Sequence, residues 1–228
     1  MCIRDKIETA LVRAHGHPLF LRELVRQIEH RGTADTSLCL DDALYARVGA
    51  LEDVARDIVV LVAIAGFRMD RELVSEILGI ERKTCAARLR ELRREQLVRI
   101  ASQPEGVSVE AFHDRVRESV QAHLSQDARV VWHGRIADAL ARRRETLSDP
   151  IAYVQHLALA TRTEEAAREA FALADLHSRT LAFEQVAALL RLAVRYGDLR
   201  GEEAAQCEAR IGDAFRAAGR ARDAAEAY

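Results

Sequence analysis

The sequence predicts a mainly helical protein with one small β-hairpin. Its apolar share of 49% is rich in alanine and leucine, and only 3 of its 228 residues are prolines. Alanine, leucine, arginine and glutamate favour helices, whereas proline breaks them. The same apolar share excludes a disordered chain. The 4 cysteines are far apart in the sequence, which excludes a disulfide framework and indicates reduced thiols.

The charge balance provides no global basic field that would attract nucleic acid or an anionic membrane. The formal net charge is −2, and Lys6 and Lys83 are the only lysines among 34 cationic residues. No apolar run approaches the length of about 18 residues that a membrane helix needs. The N-terminal segment also lacks the apolar centre of a signal peptide. We therefore expect a cytoplasmic chain that does not bind membranes, and we favour a protein over nucleic acid as its partner.

Short helices are predicted over residues 1–50. Apolar positions at helical spacing indicate one helix over Ile3 to His15 and a second over Pro18 to His30. Proline suits the first position of a helix because its missing N–H would have no partner there. Asp41 and Asp42 begin a third short helix, which Gly49 can end.

Residues 51–125 are predicted to form a winged helix. Three apolar stripes with capping residues at their ends indicate helices over Leu51 to Gly66, Asp70 to Gly79 and about Glu81 to Gln96. Two short alternating runs follow, Leu97 to Ala101 and Val107 to Phe112, on either side of a turn with proline and glycine. This pattern is typical of a β-hairpin. Three short helices and then a hairpin are the order of elements in a winged helix-turn-helix.

Residues 126–228 are predicted to be helical throughout. After the helix that starts at Ser148-Asp149-Pro150, three more helices are expected. The last pair has the residue spacing of a tetratricopeptide repeat, with a small residue where the two helices cross. The residues in this pattern are Ile211, Gly212, Phe215, Gly219, Ala224 and Tyr228. A weaker earlier copy uses Leu173, Ala174, Leu190 and Ala193. A helix pair of this kind buries its apolar face only against neighbours, so a piece of a longer protein is expected.

Three sequence motifs are each weak alone, but their order and spacing make the set more specific for one family. They are GHPLFLRELVRQI (Gly16 to Ile28), Phe112-His113-Asp114 at the end of the wing, and RIGDAFRAAGRARDAAEAY at the C-terminus. Together they resemble the C-terminal half of bacterial STAND-type signalling ATPases of the AAA+ class. Such ATPases occur in large transcriptional regulators and multidomain serine/threonine kinases. The resemblance implies a partial helical lid over 1–50, a winged helix over 51–125 and truncated repeats over 126–228.

The resemblance also implies nucleotide contacts in an intact parent protein. Pro18 would pack against the adenine base, and Gly16 would let the backbone approach closely. His113 would contact the β-phosphate of ADP, since an imidazole donates a hydrogen bond and a helix N-terminus favours anions. Asp114 would be a structural partner. His17 stands where the family has asparagine.

The sequence departs from this family because it contains no nucleotide-binding core. There is no GxxxxGK(S/T) loop for phosphate and no apolar strand that ends in paired acids for Mg²⁺. We therefore expect no catalysis and no cofactor in this chain alone, but ADP or ATP with Mg²⁺ in an intact parent. The predicted function is a regulatory segment whose lid and winged helix sense the nucleotide state. Its repeats would bind a protein partner, or a kinase or effector domain of the same protein.

Two alternatives stay open. The chain could be a stand-alone adaptor in which the repeats bind a protein and the winged helix only packs. It could also be a DNA-binding regulator, since Lys83, Arg90 and Arg94 lie opposite the apolar face of the third helix in this region. Against DNA, three glutamates flank this face: Glu81, Glu91 and Glu95. The overall charge also supplies no general affinity for phosphate.

No metal site and no catalytic triad are predicted. The histidines His123, His133, His156 and His177 lie on different predicted helices, with no cysteine or acid at ligand spacing. Trp132 and Tyr153 fall on apolar stripes and are expected in the core.

Overall fold

A computed structural model describes residues 40–103 and 106–228, which belong to two compact units. The first unit ends at Leu124 and the second runs from Ser125 to Tyr228. The described residues form eleven α-helices and a three-stranded antiparallel sheet, so the mainly helical class with a hairpin is confirmed. None of these helices has both the length and the apolar character that crossing a membrane requires.

The described part of the first unit contains five helices and three strands. The helices are α1 (Leu40–Gly49), α2 (Asp53–Ala65), α3 (Arg71–Leu78), α4 (Arg82–Arg94) and α5 (Asp114–His123). The strands are β1 (Met69–Asp70), β2 (Val98–Gln103) and β3 (Gly106–Ala111). β3 lies in the middle of the sheet, where Val109 pairs with Met69 on one side and with Ile100 on the other. β1 was not expected, because two residues are too few to show an alternating pattern.

Local signals set the helix ends in this unit. Gly66 ends α2 and Gly79 ends α3, both in the left-handed conformation, with φ of 71° and 65°. The Asp70 carboxylate accepts a hydrogen bond from the Leu73 backbone N–H at 2.5 Å and so caps α3. All three caps are confirmed. The three residues from Gly79 to Glu81 join α3 to α4.

Helix α2 forms the centre of the first unit. Nine of its 13 residues are buried, and it packs against α3, α4, α5 and β3. The apolar side of α4 consists of Cys85, Leu89 and Leu92, all buried as the helical spacing predicts. The opposite side of α4 is therefore left to face solvent.

The second unit is a series of six helices in which each packs against the next. They are α6 (Gln126–Ala141), α7 (Pro150–Leu159), α8 (Thr163–Ser178), α9 (Phe183–Gly197), α10 (Gly201–Ala217) and α11 (Ala221–Ala227). Four helices follow α7, so the expectation of three was wrong. The reason lies in the turns: Thr161, Leu181 and Asp198 take positive φ of 62°, 60° and 46° there. Glycine is the usual sign of such a turn, and its absence hides these helix ends in the sequence.

Alanine-rich faces hold the helices of the second unit together. Leu173, Ala174, Leu190 and Ala193, the four residues of the predicted earlier repeat, are all fully buried, as is Ile211. Tyr153 is buried as expected. Trp132 is only partly buried, and the Cζ atom of Arg135 lies over its ring, 4.5 Å from the ring centroid. The expectation that Trp132 is a core residue was therefore wrong.

Gly212 allows α10 to contact the aromatic ring of Tyr228. A Cβ atom at residue 212 would lie 2.7 Å from Cε1 of Tyr228, and the three atoms nearest to it all belong to that ring. The Tyr228 hydroxyl donates a hydrogen bond to the Asp213 carboxylate at 2.7 Å, which holds the ring over the glycine. A methyl group and this ring cannot occupy the same space.

We expect Gly212→Ala to lower the free energy of unfolding by about 1 kcal/mol, because the added methyl displaces Tyr228. In a Tyr228→Ala background the same change is expected to raise it by about 0.5–1 kcal/mol, since alanine is the better helix former. Chemical denaturation followed by circular dichroism measures both effects. Equal effects in the two backgrounds would show that Gly212 and Tyr228 are not coupled.

Candidate functional site

His113 lies at the junction between the sheet and helix α5. It is exposed and extended, with φ of −145°, and it is the N-cap residue of α5. Its Nδ1 accepts a hydrogen bond from the Arg115 backbone N–H at 3.2 Å. A neutral imidazole whose Nδ1 accepts carries its proton on Nε2. In this arrangement the Nε2 atom of His113 is the one that could donate a hydrogen bond to a phosphate oxygen.

The two neighbours of His113 in the motif have structural contacts. The Phe112 N–H donates to the Leu97 carbonyl at 3.0 Å and holds the end of β3 against the start of β2. The Asp114 carboxylate pairs with Arg117 one turn along α5, at 3.2 Å.

A small cavity of about 110 Å³ adjoins the start of α5. Its two arginines, Arg68 and Arg117, have carboxylate partners in Glu110 and Asp114, at 3.4 and 3.2 Å. The paired charges make this cavity nearly neutral. A phosphate at this end of α5 would therefore depend on the imidazole and the helix N-terminus more than on the cavity.

Helix α5 is fastened to both α1 and α2 along its length. The Ser119 hydroxyl donates to the Asp41 carbonyl at 2.6 Å, and the Gln121 side-chain amide donates to the Ala63 carbonyl at 2.7 Å. Val116, Ser119 and Val120 are buried beneath these bonds. The helix that begins at His113 therefore holds α1 and α2 in one arrangement.

His123 fastens the other end of α5 to α1. Its Nδ1 lies 2.8 Å from the Ser119 carbonyl and its Nε2 lies 3.1 Å from an Asp42 carboxylate oxygen. Its ring stacks on Tyr45, with the two centroids 4.2 Å apart. Both acceptors lack a proton, so both bonds form together only when the imidazole is protonated. The Ser119 carbonyl, and after it the Asp42 carboxylate, raise the pKa of His123.

The three cations that the sequence singled out lie on the exposed face of α4. Lys83, Arg90 and Arg94 are all exposed, and Arg82 and Arg93 beside them are exposed as well. Nε of Arg90 donates to the Ala86 carbonyl of its own helix at 3.3 Å. Within residues 40–103 and 106–228, no carboxylate oxygen lies within ion-pairing distance of Lys83, Arg90 or Arg94.

The glutamates that flank this face are largely bound to other arginines. Glu91 accepts a hydrogen bond from Arg88 at 2.8 Å, and Arg88 also pairs with Glu52. Glu95 pairs with Arg47 of α1, at 3.6 Å. Helical spacing is consistent with the Arg88–Glu91 pair, which is three residues apart on α4. It could not reveal the other two pairs, because Glu52 and Arg47 lie outside α4.

Two predicted nucleotide contacts, Gly16 and Pro18, lie outside the described residues, as do Cys2 and Cys39. Cys85 and Cys207 are free thiols, and burial raises the pKa of both. In the part of the chain that the structure describes, no group of three or more His, Cys, Asp or Glu residues could hold a metal ion.

The fold also brings together two histidines that the sequence keeps 23 residues apart. Nδ1 of His133 on α6 and Nδ1 of His156 on α7 are 2.8 Å apart. One nitrogen must donate and the other accept, so the pair cannot be protonated at both atoms. Burial, and after it the charge of Arg129, lower the pKa of His133. No sequence motif indicates this pair, since it depends on how α6 and α7 pack.

Neither the comparison with models of protein families nor the comparison with curated proteins gave a match. The function is therefore argued from the geometry above.

The His123 contacts predict a pH dependence in the first unit. The pKa of His123 is higher in the folded state than its ordinary value of about 6.5. The contribution of these contacts to the free energy of unfolding is therefore complete below pH 6.5 and is lost as the pH rises through the folded-state pKa of His123. Proton NMR titration of the ring measures the pKa directly. We expect Asp42→Asn to lower it, and an unchanged pKa in that variant would contradict the ion pair.

The His133–His156 pair predicts the opposite dependence in the second unit. The folded-state pKa of His133 is lowered. The contribution of the neutral His133 to the free energy of unfolding is therefore complete above about pH 6.5 and is lost as the pH falls through the folded-state pKa. Trp132, the single tryptophan and the neighbour of His133, reports unfolding of this unit by its fluorescence. We expect a lower urea midpoint at about pH 5.5 than at 7.5. His133→Gln should reduce this difference, and the matched control His177→Gln should retain it.

Proposed function

We propose that this chain is a non-catalytic regulatory and interaction segment of a STAND-type ATP-dependent signalling protein. Its lid and winged helix would sense the nucleotide state, and its helical repeats would bind a protein partner. The observation that carries this proposal is the position of His113. An exposed imidazole caps the N-terminus of a helix that is hydrogen-bonded to both α1 and α2.

The topology of the first unit supports a winged-helix assignment. Helix α2 precedes β1, and the order α3, short turn, α4 and hairpin follows. The hairpin returns along β1, so that the sheet order is β1-β3-β2. In this assignment β2 and β3 are the wing, and His113 directly follows it.

Helix α5 would serve as the moving part of the switch. Loss of a nucleotide contact at His113 would release its N-terminal end, while Ser119 and Gln121 would carry the movement to α1 and α2. The chain passes from α5 into the second unit between Leu124 and Ser125, so the repeats follow α5 directly in the chain. Such a switch needs different contacts in its two states, and the phosphates of ADP and ATP would supply that difference.

The second unit has the features expected of a protein-binding surface. The large apolar side chains that are exposed within the described residues all belong to it: Val131, Leu159, Leu176, Leu181 and Tyr228. An open groove of about 490 Å³ is lined by the turn before α9 and the end of α10. Stacked helix pairs commonly present such surfaces to partners, and we assign this unit to tetratricopeptide-like repeats on the packing of Gly212 against Tyr228.

The test uses a longer protein that contains both this segment and its nucleotide-binding core. We expect His113→Ala to raise the rate of ADP dissociation about tenfold or more, because a hydrogen bond to a charged phosphate is lost. Stopped-flow measurement with a fluorescent ADP analogue gives this rate. The resting activity of the attached effector should rise in the same variant.

His113→Asn is the matched control, because asparagine is among the best N-cap residues but has no imidazole. If His113 contacts phosphate, the alanine and asparagine variants should both release ADP faster. If His113 only caps α5, the asparagine variant should behave as the wild type, and the alanine variant should lose about 1 kcal/mol of stability without a change in ADP release. That second result would leave a stand-alone adaptor as the better description.

A further inference from the structure

We propose that the exposed face of helix α4 binds the phosphate backbone of duplex DNA at the major groove. The basic face is defined here as Lys83, Arg90 and Arg94, with Arg82 and Arg93 at its edge. This proposal goes beyond the nucleotide switch and does not depend on it, since it involves neither His113 nor the second unit.

The first argument is the concentration of charge on one helix. Helix α4 carries six cationic side chains and one carboxylate, Glu91. The other described residues of the first unit include 7 cationic and 13 acidic residues. The overall charge of the protein, −2, therefore conceals a strongly basic helix in an otherwise acidic unit. A local field of this kind, rather than the net charge, determines where a polyanion approaches.

The second argument is that two of the three flanking glutamates have cationic partners, whereas Glu81, just before α4, has no ion pair among the described residues. Glu91 is held by Arg88, and Glu95 is held by Arg47. Arg99 on β2 and Arg68, just before β1, both pair with Glu110 of β3, at 3.6 and 3.4 Å, so each of these two arginines has a carboxylate partner. Among the described residues of the first unit, the cations without an ion pair to a carboxylate are those of the basic face.

The third argument is geometric. With a rise of about 1.5 Å per residue, Lys83 and Arg94 lie about 16 Å apart along the helix axis. A major groove is about 12 Å wide and admits an α-helix, so cations at both ends of this stripe can reach the phosphates that border it. Cys85, Leu89 and Leu92 hold the opposite side of α4 in the core at 0%, 2% and 1% exposure. The helix therefore presents its cations on a fixed support.

The chemistry of the face favours DNA over an acidic protein. The core of a protein–protein interface is rich in aromatic and other large apolar side chains. The basic face carries none among its exposed residues, since the exposed large apolar side chains of the described residues all lie in the second unit. Arginine and lysine alone are sufficient for phosphate contacts, which position a protein on a duplex without reading its sequence.

The experiment measures binding of the whole chain to a fluorescein-labelled duplex of about 20 base pairs by anisotropy, at salt concentrations from about 20 to 200 mM. We expect binding that weakens linearly in a plot of log K against log salt. Arg90→Gln combined with Arg94→Gln should lower the affinity about tenfold or more at low salt and reduce the slope by about 2. Circular dichroism checks that this variant folds.

The matched control combines Arg168→Gln with Arg222→Gln, which removes the same charge from side chains of the second unit that are 70% and 92% exposed. This control should bind as the wild type does. No binding at about 20 mM salt, or an equal loss in both double variants, would overturn the proposal. Displacement of the duplex by polyglutamate at equal concentration of negative charge would assign the face to an acidic protein and would also overturn it.

Discussion

Helix α2 is buried by its neighbouring elements, and the positions of both candidate surfaces in the first unit depend on that packing. α3, α4, α5 and β3 all lie against it, and α4 exposes the side that faces away from this packing. For α4 that side is the basic face. For α5 the same packing places the capping residue His113 at the end of β3 and lets the amide of Gln121 bond to the backbone of α2. A substitution that shortens a buried side chain of α2 would leave a cavity and would disturb both surfaces at once, although neither surface includes residues of α2.

Charge in this protein is organised by pairing and not by composition. Arginine supplies nearly all of the 34 positive charges, and most ion pairs among the described residues are exposed contacts that add little stability. Their effect is to decide which cations remain available. Arg88 and Arg47 bind the glutamates beside α4, and Glu110 binds the arginines of the sheet. A sequence with the same composition but other pairs would have no basic face.

Histidine gives the two units opposite responses to pH. His123 has two acceptors and is stabilised when it is charged, whereas His133 is buried against another imidazole and is stabilised when it is neutral. Both lie where one helix meets another, so protonation near neutral pH acts on helix packing. The difference follows from the partners, since the free side chains are identical.

The sequence by itself determined the local structure: the helices at their apolar spacing, the caps Asp70, Gly66 and Gly79, the hairpin, and the buried side of α4. These features depend on neighbours within a few residues, which the sequence displays directly. It also pointed to His113 and to the cations of α4. Only tertiary packing brings Arg47 to Glu95 and His133 to His156. Packing alone likewise bonds α5 to α1 and α2. The helix ends at Thr161, Leu181 and Asp198 were also hidden, because residues other than glycine take the left-handed conformation there. Contacts between distant segments do not appear in the spacing of apolar residues along the sequence, because either partner can be replaced without changing the apolar pattern of its own helix.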